Sequence, residues 1–303
     1  MKKVHLISNA NSGKGAGGTI KEMAERVSRE LNFKLIHHHI EDPKTLDQLA
    51  EKTVQSALED GGMVIAAGGD GTIRSVAEKV QGHPIRFGVL ACGTFNFFAR
   101  THQLPEDTEQ AFRLALQGEE QKVRLGEVNG RIFLINASLG LYAKSIRDRE
   151  ASTKRWGRNR VVVVIAGLFS LFKQHRLLDV TLTNENVFQK LRTPTIFIGN
   201  NGLQLRDLSM DVAECMKRDR LAVVLMKPLN NWEKIRIIFH GMARHLDNDK
   251  GLQSFCVDEL VIDSHSPVHT VALDGEMFQM KTPLQVKALP GILNLVKLAP
   301  KVM

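Results

Sequence analysis

What the chain lacks narrows the field before any motif is read. Its 303 residues hold two tryptophans, one tyrosine and three cysteines. So few tryptophans and tyrosines, with no recognised stacking platform, argue against a single-strand binder, and nucleic acid is the least favoured partner. The cysteines, Cys92, Cys215 and Cys256, are odd in number with no close pair. That argues against a disulfide framework and a zinc site, and points to a reducing cytoplasm. Long apolar runs are missing too. The longest, VVVVIAGLFSLF at 161–172, falls short of the roughly 20 residues a membrane-crossing helix needs. MKKVHLISNANSGKG opens with two lysines but only a very short apolar run, so it reads as a first strand rather than a secretory leader. Repeats and low-complexity tracts are absent.

What is present is a globular composition, 43% apolar and 24% charged, over a length beyond the usual reach of one hydrophobic core. Two domains are expected. A formal charge of +8 favours an anionic partner: nucleic acid, an anionic membrane surface or a phosphorylated ligand. Periodicity alternates strands at 3–8, 34–39, 63–67 and 87–90 with helices at 20–31, 45–58, 72–80 and 106–117. This order predicts a mainly parallel sheet covered on both faces, a Rossmann-like α/β domain over residues 1–122. Beyond residue 122, VRLGEVNGRIFLINASLG sets Asn129-Gly130 between two alternating runs, a hairpin signal. Short strands follow near 178–183, 194–199, 221–226, 257–263, 268–273 and 284–288, with helices near 159–173 and 231–245. The second domain, 123–289, is therefore expected to be a predominantly antiparallel β-sandwich, with 290–303 a candidate to rejoin the first.

In a parallel α/β domain, ligands sit beyond the carboxyl ends of the strands. Three loops there are rich in glycine and small polar residues: NANSGKGAGG (9–18), GGDGT (68–72) and ACGTFNFFAR (91–100). One such loop is ordinary turn chemistry, but three on one edge suggest a phosphate site. Gly13, Gly15 and Gly18 fit G-x-G-x-x-G, yet the acidic residue expected after the second strand is replaced by His37-His38-His39, with Glu41 nearby. Nor is this a Walker A loop, since Ser8 stands where its first glycine belongs and Gly15 where Ser or Thr should follow Lys14. Successive strand residues face opposite ways, so the three histidines cannot all ligate one metal and read as solvated or half-packed.

The order NANSGKG, GGDGT, GTFNFFAR and a late DGE (Asp274, Gly275, Glu276) resembles the diacylglycerol kinase catalytic-domain family over nearly the whole chain. That family includes bacterial lipid kinases and the sphingosine and ceramide kinases. NAD kinases share GGDGT, but the third loop looks like the lipid kinases' G-T-x-N-D-F-A-R, and no G-S-T-A-Y signature is present. The resemblance implies ATP-dependent phosphorylation of a membrane lipid's hydroxyl, diacylglycerol by default, with the nucleotide in an interdomain cleft. Phosphoryl transfer asks mainly for positioning and charge neutralisation. By resemblance, Gly68, Gly69 and Gly71 lie against phosphates, helped by the positive end of the following helix. Asp70 holds Mg²⁺. Thr72 and Thr94 donate hydroxyls, and Asn9, Ser12, Gly13, Lys14 and Asn96 line the same pocket. Glu276 takes the hydroxyl proton, supported by Asp274, and Arg100 belongs to the substrate side. A structural Mg²⁺ is implied at Met216, Asp219 and Leu221.

Each role has a local alternative. Asp70 could be a helix N-cap, Lys14 solvated, Asn96 and Arg100 the cap and surface of a following helix, and Glu276 an exposed turn residue. The chain also departs from the family pattern. Arg124 stands where an aspartate of the metal network is usual, Phe97 replaces the aspartate of N-D-F, and Arg220 follows Asp219 where glycine is usual. GNNGLQLRDLSM keeps only Gly199, Asn200 and Gly202 of a glycine-rich stretch. A kinase of a sphingoid base or glycolipid, and a nucleotide- or lipid-binding regulator without catalysis, stay open, as does a homodimer. KSIRDREASTKRWGRNR (144–160) sets seven basic residues against two acidic ones just before the longest apolar run. That pattern fits a cytoplasmic protein held peripherally on anionic lipid, or a solvated loop before a core helix.

Overall fold

The computed structural model describes residues 1–9, 17–140, 177–185, 188–202, 211–228, 230, 232–233 and 251–299. The helices expected near 159–173 and 231–245 lie outside them apart from 232–233, as do the basic stretch 144–160 and Ser12, Gly13 and Lys14. The chain forms two compact units, Met1–Leu125 with Leu289–Met303 and Gly126–Ala288.

In the first unit, strands and helices alternate: β1 (Lys2–Asn9), α1 (Gly17–Glu30), β2 (Phe33–Ile40), α2 (Leu46–Asp60), β3 (Met63–Gly68), α3 (Asp70–Val80), β4 (Phe87–Ala91), α4 (Phe97–Thr101) and α5 (Thr108–Gln117). Every residue of β3 is buried, as a central parallel strand covered on both faces requires. Val4, Leu6, Ile65, Ala67 and Leu90 meet the apolar stripes of α1 (Ala24, Val27) and α5 (Ala111, Phe112, Ala115) in one core. Local chemistry sets the helix ends. Asp107 accepts the N–H of Gln110 at 2.9 Å to start α5, and Gly61, at φ +66°, stops α2.

A long strand, β5 (Glu119–Val128), leads into the second unit, which contains β6 (Arg131–Phe133), β7 (Asn136–Gly140), β8 (Leu178–Thr183), β9 (Phe188–Thr193), β10 (Thr195–Gly199), β11 (Leu221–Met226), β12 (Leu252–Val257), β13 (Glu259–Ser264), β14 (Val268–Leu273) and β15 (Glu276–Lys281). A six-stranded sheet runs β12-β11-β10-β7-β14-β15, all antiparallel where pairs are described. Its inner face (Leu139, Ile198, Val223, Val271) shares a core with Leu182, Ile262 and Val286 of a second layer containing β8 and β13. The last strand, β16 (Leu284–Lys297), pairs antiparallel with β13 through Leu284–Lys287 and parallel with β4 at Leu295.

Three strands escaped the periodicity reading, β9, β12 and β15, and each ends its sheet. An edge strand buries little, so its apolar alternation is faint; β12 buries only Val257 fully. The strand expected to end at 288 continues to Lys297. Beyond its pairs with β13 and β4, β16 also pairs with β5.

The cysteine reading is corrected. Cys215 and Cys256 form a disulfide, 41 residues apart with Cα atoms 5.5 Å from each other. Antiparallel pairing sets Ala222 of β11 opposite Cys256, and the 3-10 segment Asp211–Arg218 brings Cys215 back against it. Spacing along the chain hid a contact made by the fold. Cys92 is the free cysteine, so cysteine usage no longer argues for a reducing compartment.

Candidate active site

Parallel register aligns the carboxyl ends of the central strands of the α/β unit: Ser8 pairs with Ala67, and Gly68 with Ala91. The loops that follow therefore share an edge. Only Gly69 separates β3 from α3, three residues tighter than expected. The loops meet backbone to backbone, for a Cβ added to Gly93 would lie 2.8 Å from the Gly69 Cα. The Cys92 N–H donates to the Gly68 carbonyl at 2.9 Å. Gly93, absent from the expected site, is thus part of it. Its signal was its place beside Thr94 in the third loop.

Asp70 opens α3, but its carboxylate caps a different helix. It accepts the N–H groups of Phe97 and Phe98, both at 3.2 Å, at the start of α4. Burial pushes its pKa above the usual aspartate value, opposed by backbone N–H groups of Phe98, Phe97 and Asn96. Asn96, at φ +49°, spends its side chain within the loop: Oδ1 accepts the Gly93 N–H at 2.9 Å and Nδ2 donates to the Ala91 carbonyl at 3.3 Å. Thr72 is buried with its side chain against Gly68, while Thr94 and Arg100 are exposed. Asn9 closes β1. The histidines split between faces as strand geometry requires: His37 Nε2 contacts Ser8 Oγ at 2.8 Å, and His38 Nε2 lies 3.2 Å from His5 Nδ1. Among the described residues, no group of three or more His, Cys, Asp or Glu could hold a metal ion.

The β-rich unit holds the second cluster. β14 and β15 pair through Leu273 and Glu276, and Asp274-Gly275 turns between them at φ +49° and +95°. The Asp274 carboxylate accepts three backbone N–H groups: Leu134 at 2.6 Å, Ile135 at 2.8 Å and Asn136 at 3.0 Å. Its own N–H donates to the Asn136 carbonyl at 2.9 Å. Asn200 grips the same corner, its N–H on the Ile135 carbonyl at 2.8 Å and Nδ2 on the Leu134 carbonyl at 3.0 Å. Asp274 is thereby a brace, and Glu276 stands exposed at the start of the next strand.

The turn proposed for a structural cation is braced without one. Asp219, at φ +54°, donates its N–H to the Met216 carbonyl at 3.4 Å, and Arg220 N–H donates to the Cys215 carbonyl at 3.0 Å. Arg220 Nε lies 3.0 Å from Asp258 Oδ2, and Leu221 is buried in β11. The donors implied for a cation here are the Asp219 carboxylate and the Met216 and Leu221 carbonyls; the Met216 carbonyl also accepts the Asp219 N–H, and a guanidinium follows at Arg220.

Residues 3–128 match the family described as the diacylglycerol kinase catalytic domain. This stretch of the chain belongs to the diacylglycerol kinase catalytic-domain family. A diacylglycerol kinase of Staphylococcus carnosus is 36% identical over 145 residues, 46% of this chain and 45% of that protein. One of Staphylococcus epidermidis is 30% identical over 195 residues, 62% of this chain and 59% of that protein. The chain thus aligns with about half the length of these curated relatives. A solved candidate diacylglycerol kinase of Bacillus anthracis str. Sterne superposes with a TM-score of 0.76 at 19% identity, covering 100% of this chain and 99% of that one. At that identity the likeness speaks to the fold. The matched stretch contains Gly69, Asp70 and Gly93.

Proposed function

We propose that the protein is an ATP- and Mg²⁺-dependent kinase of a lipid hydroxyl, with diacylglycerol the default acceptor and phosphatidic acid the product. The observation that carries this reading is the back-to-back Gly69 and Gly93 loop pair with the Asp70 carboxylate at its rim. Bare backbone at strand ends, beside the N-terminus of α3, suits phosphate oxygens. One carboxylate completed by phosphates and water is a usual Mg²⁺ environment, so Asp70 fits the ion, which when bound would neutralise charge on the transferred group. The acceptor oxygen forms its bond to the γ-phosphorus as the bond to the β,γ-bridging oxygen breaks and ADP leaves. Glu276, exposed on a rigid hairpin, accepts the hydroxyl proton. The relatives' names support a diacylglycerol acceptor, and a sphingoid base or glycolipid is the alternative. The membrane partner is an anionic lipid surface met peripherally from the cytoplasm. Among the described residues no helix is long and apolar enough to cross a membrane.

The test is phosphate transfer from labelled ATP to a lipid extract in micelles. Wild-type protein is expected to label a lipid, Asp70→Asn to lose labelling, and Glu276→Gln to lose about 10²–10⁴-fold in turnover while still binding nucleotide. Wild type that binds ATP but labels no lipid would instead make the protein a non-catalytic regulator, the reading favoured by Phe97 and Arg124 in place of aspartates.

A further inference from the structure

No step above uses the ring of Phe97. It lies parallel to that of Phe95, with centroids 5.6 Å apart and planes 5° from each other. Phe95 is 37% exposed, one of few large apolar side chains at the surface of the described residues. The next residue, Phe98, is buried and packs edge-on against His102 at 4.6 Å. Phe98 thus roots α4 in the core while the Phe95–Phe97 pair is held at the rim. The holding is specific, because the Phe97 backbone N–H that donates to Asp70 belongs to the same residue as the stacked ring.

We infer that the Phe95–Phe97 stack is the acceptor-side platform, packing on apolar groups that flank the reacting hydroxyl of an acyl-ester-bearing alcohol. The inference rests on the kinase reading and narrows it. A nucleobase is separated from the transferred phosphate by the sugar and two further phosphates, whereas the acceptor hydroxyl must lie in line with that phosphate. An aromatic surface tethered to the phosphate-side carboxylate is therefore placed for the acceptor. Phenyl rings have neither donor nor acceptor, so they reward apolar contact and cannot replace the hydration of a polar headgroup. Rigid stacked rings also lose little freedom on binding.

The experiment measures KM for dioctanoylglycerol and for ATP in wild type, Phe95→Ala and Phe97→Ala, the last retaining the N–H bonded to Asp70. Loss of one ring's contact is expected to raise the acylglycerol KM about tenfold, with the ATP KM within about twofold of wild type. Phe95 is at the surface, so Phe95→Ala decides the matter even where Phe97→Ala does not fold. An unchanged acylglycerol KM in Phe95→Ala, or a raised ATP KM, overturns the platform and leaves the kinase reading standing. Transfer by wild type only to a sugar-bearing lipid also overturns it. Wild type that labels no lipid removes the kinase reading, and the platform with it.

Discussion

Asp274 spends its charge on three backbone N–H groups, and that fixes what its replacement should do. In Asp274→Asn, one carboxylate oxygen becomes an NH₂ facing N–H donors, so the corner at 134–136 loses part of its hold. The expected cost is about 1–3 kcal/mol of stability. Turnover should fall with it while the ATP KM holds, and melting curves paired with initial rates would show both. His102 makes the matching case for a base. Burial, with Lys297 and Arg124 nearby, pushes its pKa down to about 3, although an edge of the residue still reaches solvent. Unfolded His102 takes a proton near the ordinary value of 6.5 and folded His102 near 3. The unfolded chain therefore binds more protons in that window, and stability falls as pH falls through it, by up to about 1.4 kcal/mol per pH unit. Denaturant titrations at pH 7 and pH 5 should show the loss, and His102→Asn should reduce it.

At the scale of the element, the Cys215–Cys256 link ties the 3-10 segment Asp211–Arg218 to β12. Among the described residues, Cys215, Ala222 and Val224 are buried in the core beneath it, with Phe197, Met216, Leu252 and Cys256 partly buried against them, and the covalent link adds to that attachment. Reduction, or Cys256→Ala, is expected to cost about 2–4 kcal/mol, read as a lower melting temperature in dithiothreitol. Elements were legible in the sequence where burial was strong. β3 reads as an unbroken apolar run because both its faces are covered, whereas β9 and β15 at sheet edges gave periodicity little to detect. Asp70 and Asn96 were marked as candidate site residues by their glycine neighbours. The hydrogen bonds of Asp70 were not legible, because Phe97 and Phe98 are 27 and 28 residues away in sequence. The disulfide and the bracing by Asp274 were invisible for the same reason: each joins positions that only the folded sheet makes adjacent.

At the scale of the molecule, the net charge of +8 should govern encounter with membranes. Each basic residue near an anionic surface adds about 1 kcal/mol, within a Debye length. Sedimentation with phosphatidylglycerol vesicles is expected to exceed that with phosphatidylcholine and to fall as salt rises; salt-independent binding would remove the electrostatic account. The sequence changes character at residue 122, where βα alternation gives way to a hairpin; the two compact units divide after Leu125 and again before Leu289.

One strand gives the molecule a schedule. The α/β unit is built from residues 1–125 and from a second segment starting at Leu289, and it is β16 that lies beside β4 at Leu295. On a ribosome, the helices and four parallel strands of that unit emerge early, then wait with the β4 edge open while the β-rich unit is made. An uncovered strand edge is a template for pairing with other chains. The newborn protein is therefore most vulnerable to aggregation before its last strand arrives, and a fragment ending at residue 125 would keep that vulnerability permanently.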